Sequence, residues 1–293
     1  MSATRKHLIV PARGTRAYWR KGIIWRMADD KAFTGSIPKV YETYLVPLIF
    51  EAYAADLARR VAARGPQRVL EIAAGTGVVT RALAAVLPEA TEIVATDLNP
   101  AMLEQAAAIG TSRRVEFQQA DAMQLPFPDQ SFDVVVIQFG VMFFPDKPRA
   151  LAETRRVLRS GGALIFNVWG SLEHNEFAAA VQAGLAAAFP NDPPKFLERT
   201  PYGYFDHARI AADVAAGGFV APAEIVTVDE RSRAQSAGDP AIGYIQGSPL
   251  KGDVEARGSV ETGTQAATDE ITRRFGPGPV DGRIQAHVVT VEK

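Results

Sequence analysis

Between Arg68 and Trp169 the apolar positions fall into two alternating patterns. Short runs of branched residues, such as Val69-Leu70-Glu71-Ile72 and Ile93-Val94-Ala95, suit strands covered on both faces. Between the runs, apolar residues return every three or four positions, as on amphipathic helices. This predicts strands at 68–73, 91–96, 115–119, 132–138 and 163–168, with helices at 78–87, 100–109 and 148–158. Such alternation marks an α/β fold, a doubly wound Rossmann-like parallel sheet with helices on both faces. Gly161-Gly162 reads as the turn that closes the last of these helices.

Outside this core the pattern changes. Upstream, Tyr41, Tyr44, Leu45, Leu48 and Ile49 recur at helical steps, predicting a helix over 38–64 that starts at Ser36 and is kinked or split at Pro47. Downstream, helices at 173–189 and 206–216, a sixth strand at 224–230 and a seventh at 286–292 are expected. The polar excursion between those strands, with a helix near 268–275, is of the kind that forms lids and acceptor walls. The chain thus divides into a lead-in at 1–33, a helical cap at 34–67, a core at 68–170 and acceptor-side helices with the last two strands at 171–293.

Composition narrows the chemistry. There is no cysteine, which removes disulfides, thiolate metal sites and a cysteine nucleophile. The four histidines (His7, His174, His207, His287) lack the close spacing of zinc motifs, so no metal is expected. The net charge of −1 hides an asymmetry, because seven basic residues precede the first acid, Asp29. From Met27 onward 25 basic residues face 33 acidic ones, a balance that repels phosphate backbones and argues against a nucleic-acid partner. No apolar run approaches the ~20 residues of a membrane helix, so no transmembrane segment and a cytoplasmic location are expected. The basic lead-in is expected to be disordered, or to lie upstream of a functional start at Met27, the other reading being a targeting segment or basic arm. Deletion of residues 1–26 is expected to leave the site intact.

The chemistry concentrates at strand ends. Gly75-Thr76-Gly77 joins the first strand to a helix, a turn that brings backbone N–H groups toward a ligand. Glu71 lies on the first strand, Asp97 ends the second and Asp121 follows the third. Carboxyl ends of neighbouring strands face one crevice, where Asp97 can grip ribose hydroxyls. A dinucleotide fingerprint requires a third glycine where Thr80 stands, and no Gly-Lys-Ser/Thr follows the turn.

The segments Glu71–Gly77, Thr96–Leu103 and Asp121–Phe127, extended by Phe127–Asp133 and Leu158–Gly162, resemble class I S-adenosylmethionine-dependent methyltransferases. Within these they are similar to the small-molecule group that includes quinone-biosynthesis C-methyltransferases. The resemblance covers about a third of the chain and implies a seven-stranded sheet whose last strand is antiparallel. It further implies S-adenosylmethionine as cofactor and a small-molecule methyl acceptor. By the same resemblance the Gly75-Thr76-Gly77 turn packs under the methionine end with Glu71 near its amino group. Asp97 holds the ribose diol, Leu98 and Met102 line the adenine, Asp121 and Ala122 lie beside the adenine amino group, and the Gln138 carbonyl approaches the sulfonium. Ala73 replaces the first motif glycine, which is tolerable if its φ is negative.

Two other functions stay open on this fold, a non-catalytic nucleoside-binding protein and an NAD-dependent oxidoreductase. A general base is needed only if the acceptor must lose a proton, and the candidates are His174, Tyr41 and Tyr44. Phe143, Phe144, Trp169, Tyr202, Gly203, Tyr204, Phe205 and Tyr244 are candidate acceptor contacts, more than half of them expected to be ordinary core residues. They hint at an apolar or aromatic acceptor. Oligomeric state is not legible.

Overall fold

The computed structural model describes residue 33 and residues 35–293. The basic lead-in lies outside these residues, apart from Phe33. Strands β1 (Arg68–Ile72), β2 (Glu92–Asp97), β3 (Glu116–Gln119), β4 (Phe132–Gln138), β5 (Leu158–Trp169), β6 (Glu224–Ala234) and β7 (Val280–Glu292) form one sheet. Their order is β3-β2-β1-β4-β5-β7-β6. The first five strands pair in parallel, while β7 inserts antiparallel between β5 and β6. The doubly wound sheet expected from the sequence is present, with its antiparallel last strand.

Burial explains the strand composition. Val69, Leu70, Val134, Val135, Val136 and Ile137 are nearly or wholly buried, as strands covered on both faces require. The covering helices of the core are α3 (Val78–Val86), α4 (Pro100–Ile109) and α5 (Lys147–Val157). Asp146 caps α5 by accepting the Arg149 N–H. Arg156 of α5 then donates to the carbonyls of Leu125 and Phe127 and to Asp129, tying down the loop between β3 and β4.

Upstream of the sheet, α1 (Ile37–Val40) runs through a π-helical segment (Tyr41–Phe50) into α2 (Glu51–Ala62). At Pro47, where a kink or a split is expected from the sequence, the helix continues and widens, and Glu51 donates its N–H to the Val46 carbonyl five residues back. Ser36 makes no side-chain cap, and its hydroxyl instead accepts from Lys251.

Gly161-Gly162 is a second correction. The helix ends at Val157 and β5 begins at once, so both glycines lie inside the strand. Gly161 has φ +76°, and the β4–β5 register shifts between Phe132 and Val134, the geometry of a bulge. After β5 come α6 (Glu176–Ala188), α7 (Phe196–Arg199), α8 (His207–Ala216), α9 (Gly238–Gln246), α10 (Leu250–Glu255) and α11 (Val260–Phe275). The late excursion therefore holds three helices where one was expected. β6 and β7 also run longer than their apolar cores, pairing out to Ala234 and Val280.

Candidate active site

One cavity opens at the carboxyl ends of β1 to β5 and encloses about 1190 Å³ of atom-free space, its mouth included. Five adjacent strand ends span roughly 19 Å at the usual interstrand spacing. Chemistry changes along that length. At the β2–β3 end the wall is Asp97, Leu98, Asn99, Met102, Asp121, Ala122 and Met123. At the β4–β5 end it is Gln138, Phe139 and Trp169, roofed by rings from the outer helices. Ala73 and Gly75 lie between, and among the described residues no Lys, Arg or His lines the cavity.

The glycine turn is shaped by hydrogen bonds as well as by torsion. Gly75 and Gly77 have φ of +57° and +84°, and Gly75 donates its N–H to Asp97 at 2.9 Å. The other Asp97 oxygen accepts the Asn99 N–H at 2.8 Å. Burial raises the Asp97 pKa, and these hydrogen bonds lower it again in part. Asp121 accepts the Met123 N–H in a turn of its own. A Cβ on Gly75 would stand 3.5 Å from Met102 Cε and 3.7 Å from the Tyr41 hydroxyl, so the turn and these two side chains form a close cradle.

Nine of the cofactor and base candidates line this cavity: Tyr41, Ala73, Gly75, Asp97, Leu98, Met102, Asp121, Ala122 and Gln138. Glu71, Thr76 and Gly77 stand behind the wall. Glu71 is buried, accepts from the Thr80 hydroxyl, and has its pKa pushed up to about 8 by loss of solvation. Thr76 donates to Glu42, which also pairs with Arg81 at 2.7 Å. Glu42, absent from the sequence reading, therefore ties the π-helical segment to the glycine turn. Its only sequence signal is its place between Tyr41 and Tyr44.

Two base candidates fall away from the cavity. His174 sits on a short 3-10 turn (Leu172–His174) with Ser171 Oγ 3.3 Å from its Nδ1. Tyr44 packs its Cβ against Gly243 of α9. Tyr41 does line the cavity, but burial and the neighbouring Asp97, Glu42 and Glu71 raise its pKa, so its hydroxyl keeps its proton.

The aromatic expectation needs adjusting in the other direction. Phe143, Phe144, Trp169, Tyr202 and Tyr244 all line the cavity, and Gly203, Tyr204 and Phe205 do not. Trp169 stacks on Phe139 at 3.6 Å between centroids and lies 5.9 Å from both Phe50 and Tyr202. Phe50, Phe139 and Phe196 were not anticipated. Phe139 directly follows β4, a position that could have been flagged.

The alanine in place of the first motif glycine does not have the negative φ that would make it comfortable. Ala73 has φ +58°, and Phe139, at the end of the neighbouring strand, has φ +50°. Non-glycine residues in this region are strained, and here both face the cavity.

Residues 70–166 match the family model described as methyltransferase domain. That stretch resembles a methyltransferase core. Over 106 residues the chain is 43% identical to the ubiquinone/menaquinone biosynthesis C-methyltransferase UbiE of Ectopseudomonas mendocina, covering 35% of this chain and 41% of that protein. The UbiE of Stutzerimonas stutzeri is 38% identical over 125 residues, which cover 41% of this chain and 49% of the relative. The chain thus spans less than half the length of these curated relatives. Among solved structures, YcgJ of Bacillus subtilis superposes with a TM-score of 0.53 at 22% identity, covering 83% of this chain and 98% of that one. The Haemonchus contortus phosphoethanolamine N-methyltransferase 2, in complex with phosphomonomethylethanolamine and S-adenosylhomocysteine, gives 0.57 at 16% identity, covering 91% and 59%. Both share this chain's fold at low identity. The sequence likeness lies in the core, and the helices that roof the β4–β5 end fall outside the matched family segment.

Proposed function

We propose that this chain is a cytoplasmic S-adenosylmethionine-dependent methyltransferase acting on a small, largely apolar acceptor. The observation that carries the reading is the division of one cavity into a carboxylate-bearing end at β2–β3 and an aromatic end at β4–β5. A nucleoside with two ribose hydroxyls and a cationic sulfur, and without phosphate, suits carboxylates and needs no basic clamp. In this reading Asp97 accepts from the ribose hydroxyls, Leu98, Met102 and Ala122 enclose the adenine, and Asp121 faces its amino group. Gly75 lets the backbone approach the methionine portion, and Gln138 stands where the methyl group is presented. Glu71, Thr76 and Gly77 act through the loop that they brace.

When bound, S-adenosylmethionine supplies a methyl group already activated by its sulfonium. What the chain contributes is alignment of the acceptor and exclusion of water by Phe50, Phe139, Trp169, Phe143 and Tyr202. Among the described residues, the β4–β5 end offers no carboxylate and no histidine, and burial keeps the Tyr202 and Tyr244 hydroxyls protonated. The acceptor must therefore arrive as a competent nucleophile or lose its proton to water.

Against a nicotinamide enzyme, the third fingerprint position is Thr80, buried and bonded to Glu71. The test is incubation of the full chain with S-adenosylmethionine and a panel of small metabolites, following S-adenosylhomocysteine. Its formation with uncharged apolar acceptors is expected. No turnover across the panel, together with binding of NAD and not of S-adenosylmethionine, would overturn the proposal.

A further inference from the structure

Asn167 is the one polar residue in the apolar run from Ala163 to Trp169, and it is wholly buried. Burying an amide is costly unless its hydrogen bonds offset the lost solvation. Its Nδ2 has no hydrogen-bond partner, so the side chain acts through Oδ1, which accepts the Phe139 N–H at 2.9 Å. Exchanging the two amide atoms would set one N–H against another, which fixes this orientation. The Asn167 main-chain carbonyl, 3.2 Å away, accepts from the same N–H. Oδ1 is therefore a second grip at the point where the β4–β5 pairing ends, Gln138↔Asn167.

A peptide unit is planar and trans, so its C=O points opposite to its N–H. The N–H of the Gln138–Phe139 peptide points at β5, and the Gln138 carbonyl therefore points toward β1, on the other side of β4. There β1 has already left the sheet. Its pairing with β4 ends at Glu71↔Val136, and Ala74 donates to the Thr96 carbonyl on β2 instead. The Gln138 carbonyl consequently faces the gap between strand ends, at which Ala73 and Gly140 also line the cavity. Beyond the same peptide plane, Phe139 takes φ +50° and lays its ring flat on Trp169, with centroids 3.6 Å and planes 7° apart. A left-handed residue other than glycine persists only where its surroundings hold it, and Asn167 holds this one by its N–H.

We infer that Asn167 is a positioning residue of the transfer site, acting through the Gln138–Phe139 peptide. By holding that plane it aims the Gln138 carbonyl at the sulfonium and seats the Phe139 ring as a fixed wall against Trp169. A carbonyl dipole aimed at a cationic sulfur favours S-adenosylmethionine over S-adenosylhomocysteine, whose sulfur is neutral. The preference between the two therefore depends on Asn167. The inference rests on the methyltransferase reading for the identity of that cation, while the link from Asn167 to the Phe139–Trp169 stack does not.

The test uses the full chain carrying Trp19→Phe and Trp25→Phe, which leaves Trp169 as its one tryptophan. Two readouts are taken, calorimetric affinities for S-adenosylmethionine and S-adenosylhomocysteine, and acrylamide quenching of Trp169 fluorescence. Asn167→Leu keeps the volume and removes the acceptor. In it, affinity for S-adenosylmethionine should fall roughly three- to tenfold and that for S-adenosylhomocysteine less than about twofold, while quenching about doubles. Asn167→Asp keeps an acceptor at the same place and should restore the quenching and the preference. Phe139→Leu removes the ring and leaves the peptide held, so quenching should rise with the preference unchanged. Equal losses for the two ligands in Asn167→Leu, as a merely structural role would give, would overturn the inference. So would unaltered quenching in that variant, or a preference that falls as far in Phe139→Leu. Asn167→Ala serves for both readouts should the leucine variant not melt cooperatively. A parent protein that binds neither ligand would overturn the methyltransferase reading instead, and the quenching comparison would still decide whether Asn167 holds Phe139.

Discussion

Ala73 shows how much a single torsion can decide. Its φ of +58° at the end of β1 is imposed by a backbone that must turn at once into the glycine loop, and its methyl group faces the cavity. A side chain in the left-handed region costs about 1–2 kcal/mol, so Ala73→Gly should raise unfolding stability by about 1 kcal/mol. Denaturant titration checks this, and an unchanged or lowered midpoint would count against the strain. The opposite change is punished nearby, since a Cβ on Gly140 would stand 2.6 Å from that of Ala73. Residue identities along the chain do not reveal this, because a motif alanine reads as an ordinary replacement until its torsion is known. Glu71 adds a pH dependence. Its pKa is raised from 4.5 to about 8 by burial, so between those values the folded chain binds more protons than the unfolded one. Stability from this group is therefore full at low pH and is lost as pH rises through about 8. Glu71→Gln cannot ionise, and its stability should fall less than that of the wild type between pH 5 and pH 9. Parallel stability curves for the two proteins would refute this assignment of charge.

At the scale of elements, the β–α alternation was legible because buried parallel strands and amphipathic helices leave different periods. Strand β4 and helix α4 lie at their predicted residues. The less legible elements share a physical cause. The π-helical segment still shows three- and four-residue steps, so the sequence pattern resembles that of an α-helix, while the wider turn that brings Tyr41, Leu45, Ile49 and Phe50 to the cavity leaves no separate signature. The bulge in β5 places glycines where a turn looks natural. The outer ends of β6 and β7 are rich in charged residues that pair across the ribbon, as Arg231 and Arg233 do with Asp281. Glu42 links the π-helical segment to the glycine turn through Thr76 and Arg81. Glu42→Ala should lower stability by about 1–3 kcal/mol, because it leaves a half-buried guanidinium without its carboxylate. Affinity for S-adenosylmethionine should fall with it, whereas a variant with unaltered melting temperature and affinity would show that the clamp is incidental.

Across the whole molecule, the core resemblance located one end of the cavity and could not describe the other. Asp97, Asp121 and the glycine turn follow one another along β1 to β3, close enough in sequence to form a recognisable pattern. The acceptor end draws on α7, α9 and the segments around them, whose residues meet only through the fold. Tyr202 lies in the turn after α7 and Tyr244 on α9, yet their hydroxyls come to 3.3 Å. The histidines illustrate the same point. His207 and His287, far apart in the chain, have ring centroids 4.3 Å apart, and burial lowers the His287 pKa to about 4. None of the described histidines lines the cavity. His174→Ala should accordingly leave methyl transfer within about twofold of wild type once an acceptor is in hand, and a loss of a hundredfold or more, typical of a missing general base, would return His174 to the reaction. Among the described residues no group suited to holding a metal occurs and no helix is long and apolar enough to cross a membrane.

The central claim is that the carboxylate end of this cavity holds the nucleoside of S-adenosylmethionine through Asp97. Calorimetric titration of S-adenosylmethionine into the wild type and into Asp97→Ala tests it most directly. The account predicts saturable binding to the wild type and a loss of about 2 kcal/mol or more in the variant, from charge-assisted hydrogen bonds removed. Equal affinities in two folded proteins would contradict it.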